Sequence, residues 1–454
     1  MRVYGSTAIR NVAFVGHGGS GKTTLVDALA FVSGASRRHG NIKDGTTLTD
    51  YTPDEISRQH SISLGLAYAE WMDTKLNLLD APGYLDFFGE AITALHAADA
   101  AVVVLSGVSG VEVGSEKAWE VCDRLHLPRL LFVGQMDKEN ANFERVFADV
   151  KAHLSPKVLP VEIPIGEGPA FRGIINLFTG TAHLYKPGTK SGEYEEVEVP
   201  AEFQEPFSRY SELLVETVAS TDDALIERYL GGEKIDRTEV IAALKKAVMA
   251  GAIVPLFVGS AQLTYGMRAL LTSMVELLPS PAEVPAPAEA RLVARVFKTT
   301  SEPHVGDVTL FRLYAGTLRN GAEVWNVGHE LAEKLNHLSV QQGKERIEVP
   351  ELASGDIGSV AKLRDTHTGD TFCLRDAPVR LPPIPFPDAV ASAAVVVKQR
   401  GEEDKLAAGL HKLHEEDPTF KMMVDGDNHQ TLLHGMGDVQ LDVIVDKLRR
   451  KFGV

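Results

Sequence analysis

The stretch Gly16-His17-Gly18-Gly19-Ser20-Gly21-Lys22-Thr23 constrains this chain more than any other. It fits G-x-x-x-x-G-K-[ST], follows the apolar run NVAFV and opens KTTLVDALAFV, whose spacing is helical. A strand, a glycine-rich turn and a helix in that order aim backbone N–H groups and a helix N-terminus at one anion. Lys22 can reach the outer phosphates of a nucleoside triphosphate, and the Thr23 hydroxyl can ligate Mg²⁺. Thr24 completes the loop's nucleotide-binding set. A glycine-rich turn with an exposed lysine is the plainer alternative, and the flanking strand and helix weigh against it. The motif by itself does not separate GTP from ATP.

The same segment starts a rhythm. NVAFVG, LNLLDAPG, AAVVVLSG and RLLFVGQMD read as buried strands ending in turns, alternating with helices such as VGSEKAWEVCDRL. Continuous apolar strands separated by helices give an α/β fold with a doubly wound, mostly parallel sheet. Such sheets bind ligands at the carboxyl ends of their strands. Asp80-Ala81-Pro82-Gly83 ends one strand, where Asp80 can hold Mg²⁺ and the Gly83 N–H can approach a terminal phosphate. Gln135-Met136-Asp137 ends another. The Asp137 carboxylate can accept from guanine N1–H and N2–H₂, which adenine does not offer. Gly259-Ser260-Ala261 ends a later strand and can offer a backbone N–H to guanine O6. Lys138 and Gln262 sit beside these two turns, and together the turns favour guanine.

After Asp137 the rhythm changes. Residues 155–250 hold short strand-like pieces and then amphipathic helices, so they read as an α+β subdomain inserted in an α/β domain of 1–280. LPSPAEVPAPAEA is a Pro/Ala-rich linker. Residues 288–382 carry short strands with Gly turns, the pattern of an antiparallel β-barrel. Residues 386–454 read βαββα, a ferredoxin-like order one strand short. The 454-residue chain has a net charge of −16, which argues against coating nucleic acid by bulk charge but leaves room for a local RNA contact. No apolar run reaches the ~18 residues of a membrane span. Two distant cysteines, Cys122 and Cys373, exclude a disulfide scaffold and favour a reducing, cytoplasmic setting.

These motifs together resemble translation elongation factor G, and especially its divergent elongation factor G-like paralogues. DAPGYLDF (80–87), GQMDK (134–138) and GSA (259–261) join the phosphate loop in carrying the GTPase part. VGDVTLFRLYAGTLRNG (305–321) resembles the family's β-barrel domain II. LHEEDPTF with GMGDVQLDVIVDKLRRKF resembles its domain III. The resemblance implies a monomeric, cytoplasmic GTPase that takes GTP and Mg²⁺ and works on the ribosome in translocation or recycling. It implies switch segments near 36–63 and 81–96, and further domains beyond residue 454. It also aligns Ser61 with a Mg²⁺-ligating switch threonine, and makes Lys22, Gly83 and Tyr84 the catalytic candidates.

Besides Ser61, three positions depart from the family. Tyr84 stands where the family has a histidine that positions the attacking water, and a tyrosine phenol is neutral at pH 7. Gly134 and Gln135 replace Asn-Lys beside the base. The alternative function is therefore a GTP/GDP-dependent ribosome-binding factor with little intrinsic hydrolysis. Among other signals, His411 and His414 lie three apart on a helix without a second ligand pair. The segment 425–429 reads as a hairpin turn. Lys447, Arg449, Arg450 and Lys451 suit either a helix C-terminus or an RNA contact.

Overall fold

The computed structural model describes residues 2–189, 191–233, 235–286, 288–302, 305–397, 401–425 and 430–454. The turn expected at 425–429 thus lies largely outside the described residues. Strand β1 (Ile9–Val15) runs through the glycine loop into α1 (Lys22–Val32). A long loop then carries the short helix α2 (Pro53–Arg58) to the hairpin of β2 (Gly65–Trp71) and β3 (Thr74–Asp80). Helix α3 (Phe88–Ala97), β4 (Ala100–Ser106), α4 (Val113–Arg124), β5 (Arg129–Gly134), α5 (Phe143–His153) and β6 (Val158–Pro160) follow.

A separate antiparallel sheet comes next, from β7 (Glu162–Ile165), β8 (Gly173–Asn176), β9 (Thr181–Tyr185) and β10 (Tyr194–Glu198). Helices α6 (Gln204–Ala219), α7 (Asp223–Leu230) and α8 (Arg237–Met249) pack beside it. Strand β11 (Val254–Val258) and α9 (Met267–Leu277) then return to the main sheet, whose order is β2-β3-β1-β4-β5-β11-β6. All its pairings are parallel except β2 with β3. Strands β1, β3, β4, β5 and β11 are buried along their whole length, which is why they read as unbroken apolar runs. Strand β6 lies inside the 155–250 stretch yet pairs with β11, so the inserted sheet starts one strand later, at Glu162.

The next region holds β12 (Val293–Glu302), β13 (Gly306–Ala315), β14 (Thr317–Arg319), β15 (Ala322–Asn326) and β16 (Leu331–Leu335). It continues with β17 (Ser339–Gln342), β18 (Glu345–Glu348), β19 (Glu351–Ala353), β20 (Ile357–Ala361) and β21 (Thr371–Cys373). Eight of these form a curled antiparallel sheet, and β14 pairs with β19 as a ribbon. Alternate residues of β12 and β13 divide between two cores. Val296 and Phe311 fill the inside of the curl, while Phe297 and Leu310 join the core of the α/β domain.

The last unit is β22 (Ala391–Val395), α10 (Glu403–Glu416), β23 (Lys421–Asp425), β24 (Gln430–Gly435) and α11 (Asp438–Lys447). Its sheet order is β22-β24-β23, with Leu410, Leu413, Leu433 and Ile444 in one small core.

A buried polar network bolts the curled sheet to the α/β domain. Lys75 of β3 donates to Asp356 at 2.7 and 2.9 Å. Asn77 donates to the same carboxylate at 3.0 Å and to Asn11 at 2.8 Å. Arg312 of β13 pairs with Asp99 and donates to the Ala97 carbonyl at 3.0 Å. All four charged side chains are almost wholly buried. Cutting one partner of such a pair leaves an uncompensated charge, so Asp356→Ala should cost about 3–5 kcal/mol. The check is the urea midpoint, with Lys75→Met/Asp356→Leu expected to recover most of the loss. An Asp356→Ala midpoint equal to the parent's would refute the assignment.

Candidate functional site

The loop after β1 closes on a cavity of about 580 Å³ lined by Gly18 to Thr24, Ser61, Gly83, Tyr84, Gln135, Asp137, Lys138, Ser260, Ala261 and Gln262. Gly16, His17 and Asp80 stand just behind this lining. Gly16 shapes the turn: a Cβ there would sit 2.3 Å from the Val104 carbonyl oxygen. His17 accepts from the Gly114 N–H at 3.2 Å, so its ring faces the start of α4. Lys22 donates to the Gly16 and His17 carbonyls at 3.1 and 2.7 Å. Burial pushes its ammonium down to about 8. Gly83 admits this lysine closely, since a Cβ would lie 2.3 Å from Nζ.

The first switch segment is tied in from α1. Asp27 accepts from the backbone N–H of Gly40 and Leu48, at 2.5 and 2.9 Å. Further along, Thr52 and Glu55 form a capping box with Pro53 at the first helical position, so α2 begins inside the switch. The T-P-D-E sequence itself carries this helix-start signal. Ser61 then brings its hydroxyl within 3.0 Å of the Thr23 hydroxyl and donates to Asp50 at 3.1 Å. Thr49 donates to Asp80 at 2.6 Å. Asp50 and Thr49 escaped sequence reasoning, because an isolated polar pair in a loop has no periodicity.

These groups suit a hard cation. Two hydroxyls and two carboxylates converge, and the Asp80 Oδ1 atom is buried with no hydrogen-bond partner among the described residues. Burial raises Asp80 to about 6 and Asp50 to about 8, and nearby carboxylates push the same way. A Mg²⁺ ion would reverse that stress, with Thr23, Ser61 and Asp80 as its holders.

On the base side, Gln135 has a left-handed backbone (φ 60°), accepts from Ser106 at 2.8 Å and donates to the Gly19 carbonyl at 2.9 Å. The amide thus ties two strand ends to the phosphate loop. Gly134 itself has a steric reason: a Cβ there would meet the Phe132 ring at 3.2 Å. The Met136 N–H donates to the Gly259 carbonyl at 3.2 Å, joining the turns after β5 and β11.

Tyr84 leans over the loop, its ring 3.1 Å from where a Gly18 Cβ would be. Against its other side lies His60, with ring centroids 4.4 Å apart. His60 Nδ1 lies 3.2 Å from the Ser61 carbonyl, an acceptor, so Nδ1 carries a hydrogen. No motif or spacing in the sequence singles out this histidine.

Both switches also touch the third unit. Asp86, in the turn after Tyr84, accepts from Val439 and Gln440 N–H at 3.0 and 3.3 Å, capping α11. Gly437 makes room for it, since a Cβ would lie 2.3 Å from Asp86 Oδ1. From α2, Asp54 pairs with Arg450 and Arg58 with Asp446. Ile62, Phe87 and Val443 pack between them. Within the cationic cluster Lys447 and Lys451 pair with Glu416, and Arg449 with Asp446.

A phosphate loop at the carboxyl edge of a mostly parallel sheet, above a cavity that Ser61, Gly83, Asp137 and Ser260 also line, is the arrangement of a nucleotide-binding domain. The model for the elongation factor Tu GTP-binding domain matches residues 7–280, and those for elongation factor G domain 2 and domain III match 291–375 and 386–454. The chain belongs to the elongation factor G family. A crystal structure of a Thermus thermophilus protein is similar at 36% identity with a TM-score of 0.90, covering 99% of this chain and 66% of that one.

Asp50 and Asp80 titrate higher in the folded chain than a free carboxyl, so the folded state holds more protons. Nucleotide-free stability contributed by Asp80 should fall between about pH 4 and 6, and by Asp50 between about 4 and 8. The thermal midpoint of Asp50→Asn is therefore expected to fall less than the parent's across that window. Equal slopes would show that Asp50 is not held under this stress.

Proposed function

We propose that the chain binds GTP with Mg²⁺ and hydrolyses it on the ribosome, driving translocation or ribosome recycling as a monomeric cytoplasmic factor. One observation carries this reading: each switch segment spans from the phosphate cavity to α11 or the turn that follows it. A change in order at the terminal phosphate then alters the seat of the third unit directly. Bound at the loop, Mg²⁺ neutralises charge on the outer phosphates. Lys22 and the loop N–H groups hold those phosphates, Asp137 selects guanine, and Ser260, Ala261 and Gln262 close the base side.

Tyr84 is the water-side group, and His60 supplies the imidazole that position 84 lacks. With Nδ1 held by the Ser61 carbonyl, Nε2 is free to accept a proton from water beside the phenol. His60→Ala should lower ribosome-stimulated single-turnover hydrolysis by about tenfold or more, with GDP affinity unchanged. His60→Ala/Tyr84→His should regain rate by returning the ring to its family position. A His60→Ala rate equal to the parent's excludes this role. Tyr84→His alone should exceed the parent, and an unchanged or lower rate counts against a deficit at Tyr84.

The second reading, a ribosome-binding factor with little turnover, is favoured by a phenol, Tyr84, lying over Gly18 where the family has an imidazole. Phosphate release with and without ribosomes separates the two. Stimulation well above background supports the GTPase, and background rates at saturating ribosomes support the binding factor. The relay has its own test. Asp86→Ala removes the cap from α11 and should uncouple ribosome binding from nucleotide state while leaving GDP affinity within about twofold. Retained GTP-dependence in that variant would break the proposed relay.

A further inference from the structure

The curled sheet carries a second cluster of ligand-type side chains, far in sequence from the phosphate loop. His329 follows β15, and Asp365, His367 and Asp370 lie in the loop before β21. One ligand atom from each of His329, Asp365 and His367 falls within 4.8 Å of the others. Asp365 is central: its two oxygens lie 3.0 Å from His329 Nδ1 and 2.8 Å from His367 Nε2. The rings of the two histidines are 4.9 Å apart.

The other nitrogen of each ring is also addressed. His329 Nε2 lies 3.4 Å from Asp370, and His367 Nδ1 lies 3.9 Å from Glu415 of α10. Both of these carboxylates are fixed. Asp370 accepts from Asn326 and from the His367 backbone N–H, each at 2.8 Å. Glu415 accepts from Lys412 at 2.7 Å. Metal-binding histidines characteristically give their second N–H to a carboxylate, which sets the tautomer and strengthens the ligand. A salt-bridge cluster needs no such arrangement around one shared carboxylate.

We propose that His329, His367 and Asp365 form a binding site for a first-row divalent transition cation, zinc being the natural probe. Two imidazoles and a carboxylate are the ligand set of such ions, with water completing the shell. Metal–ligand bonds of about 2.0–2.2 Å put tetrahedral ligand atoms about 3.4 Å apart, so the ligand atoms, within 4.8 Å of one another, close by about 1.4 Å at most. The ligands are partly open to solvent, which gives the ion its entry path. Because Glu415 belongs to the third unit, an ion here would clasp that unit's helix α10 to the curled sheet.

His411 and His414 do not form this site. His411 faces Glu415 at 3.2 Å, while His414 lies 2.7 Å from the Phe420 carbonyl.

The test uses the untagged chain, stripped of metal and held in GDP with Mg²⁺. Isothermal titration with zinc should find one equivalent bound at micromolar or tighter affinity. Cobalt in its place should give ligand-field absorption in the visible. His329→Ala/His367→Ala should lose the equivalent and the absorption, and Asp365→Asn should weaken binding sharply. Glu415→Gln should weaken it about 10–100-fold while retaining the stoichiometry. Circular dichroism and GDP affinity check that each variant is folded. No zinc equivalent in the parent, or the same affinity in the folded double variant, would reduce the cluster to hydrogen-bonded ion pairs and overturn the proposal.

Discussion

Two buried cations set the frame on which everything else depends. Lys75 and Arg312 cross between the α/β domain and the curled sheet and meet Asp356 and Asp99 in a nearly dry interface. Desolvating four charges is costly, so such a contact persists only with hydrogen bonds at almost every position. Asn11 and Asn77 supply these, and the Gly355 carbonyl closes the network at 2.7 Å from Asn11. The outcome is orientation more than raw stability. A charge network satisfied in one geometry tolerates no sliding, so the two units behave as one support.

Against that support, the third unit is held by contacts of a different kind. Asp86 caps α11, and two Arg–Asp pairs join α2 to α11 and its continuation. The apolar part of the joint is small: Ile62, Phe87 and Val443 form a cluster of their own. Every one of these α/β-domain residues belongs to a segment that also approaches the phosphate loop. Lys75 and Arg312 thus brace the curled sheet from β3 and β13, whereas the Asp86 cap and the two Arg–Asp pairs lie on segments that reach the phosphate loop, with Lys298 of β12 paired to Glu90 of α3 beside them.

Much of this was legible in the sequence, for identifiable reasons. Strands β1, β3, β4, β5 and β11 are buried on both faces, so their apolar runs are continuous. The phosphate loop is readable because its residues are adjacent in the chain. Edge strand β2 was missed: GLAYAEW turns partly to solvent and pairs only with β3 in its sheet. The three-residue β6 is too short to stand out. Ser61, Asp50 and Thr49 meet Thr23 and Asp80 only through a loop whose path no periodicity reveals. The Gln135 amide is a brace, which emerges only once Gly19 and Ser106 are seen beside it. Within the basic cluster at 447–451, Arg450 pairs with Asp54, nearly 400 positions away, a contact that no local pattern reveals.

The two joints also differ in their relation to dissolved salt. Lys75 and Asp356 are shut away from ions, while Arg450, Arg58 and Asp446 keep substantial exposure. Mobile ions screen exposed charges over about 8–10 Å at physiological strength and scarcely reach buried ones. The electrolyte around the molecule thus acts on one joint and leaves the other untouched. In concentrated salt the seam between α2 and α11 loosens while the frame holds its shape. The stiffness of the mechanical link is set in part by the medium, with no ligand or modification required.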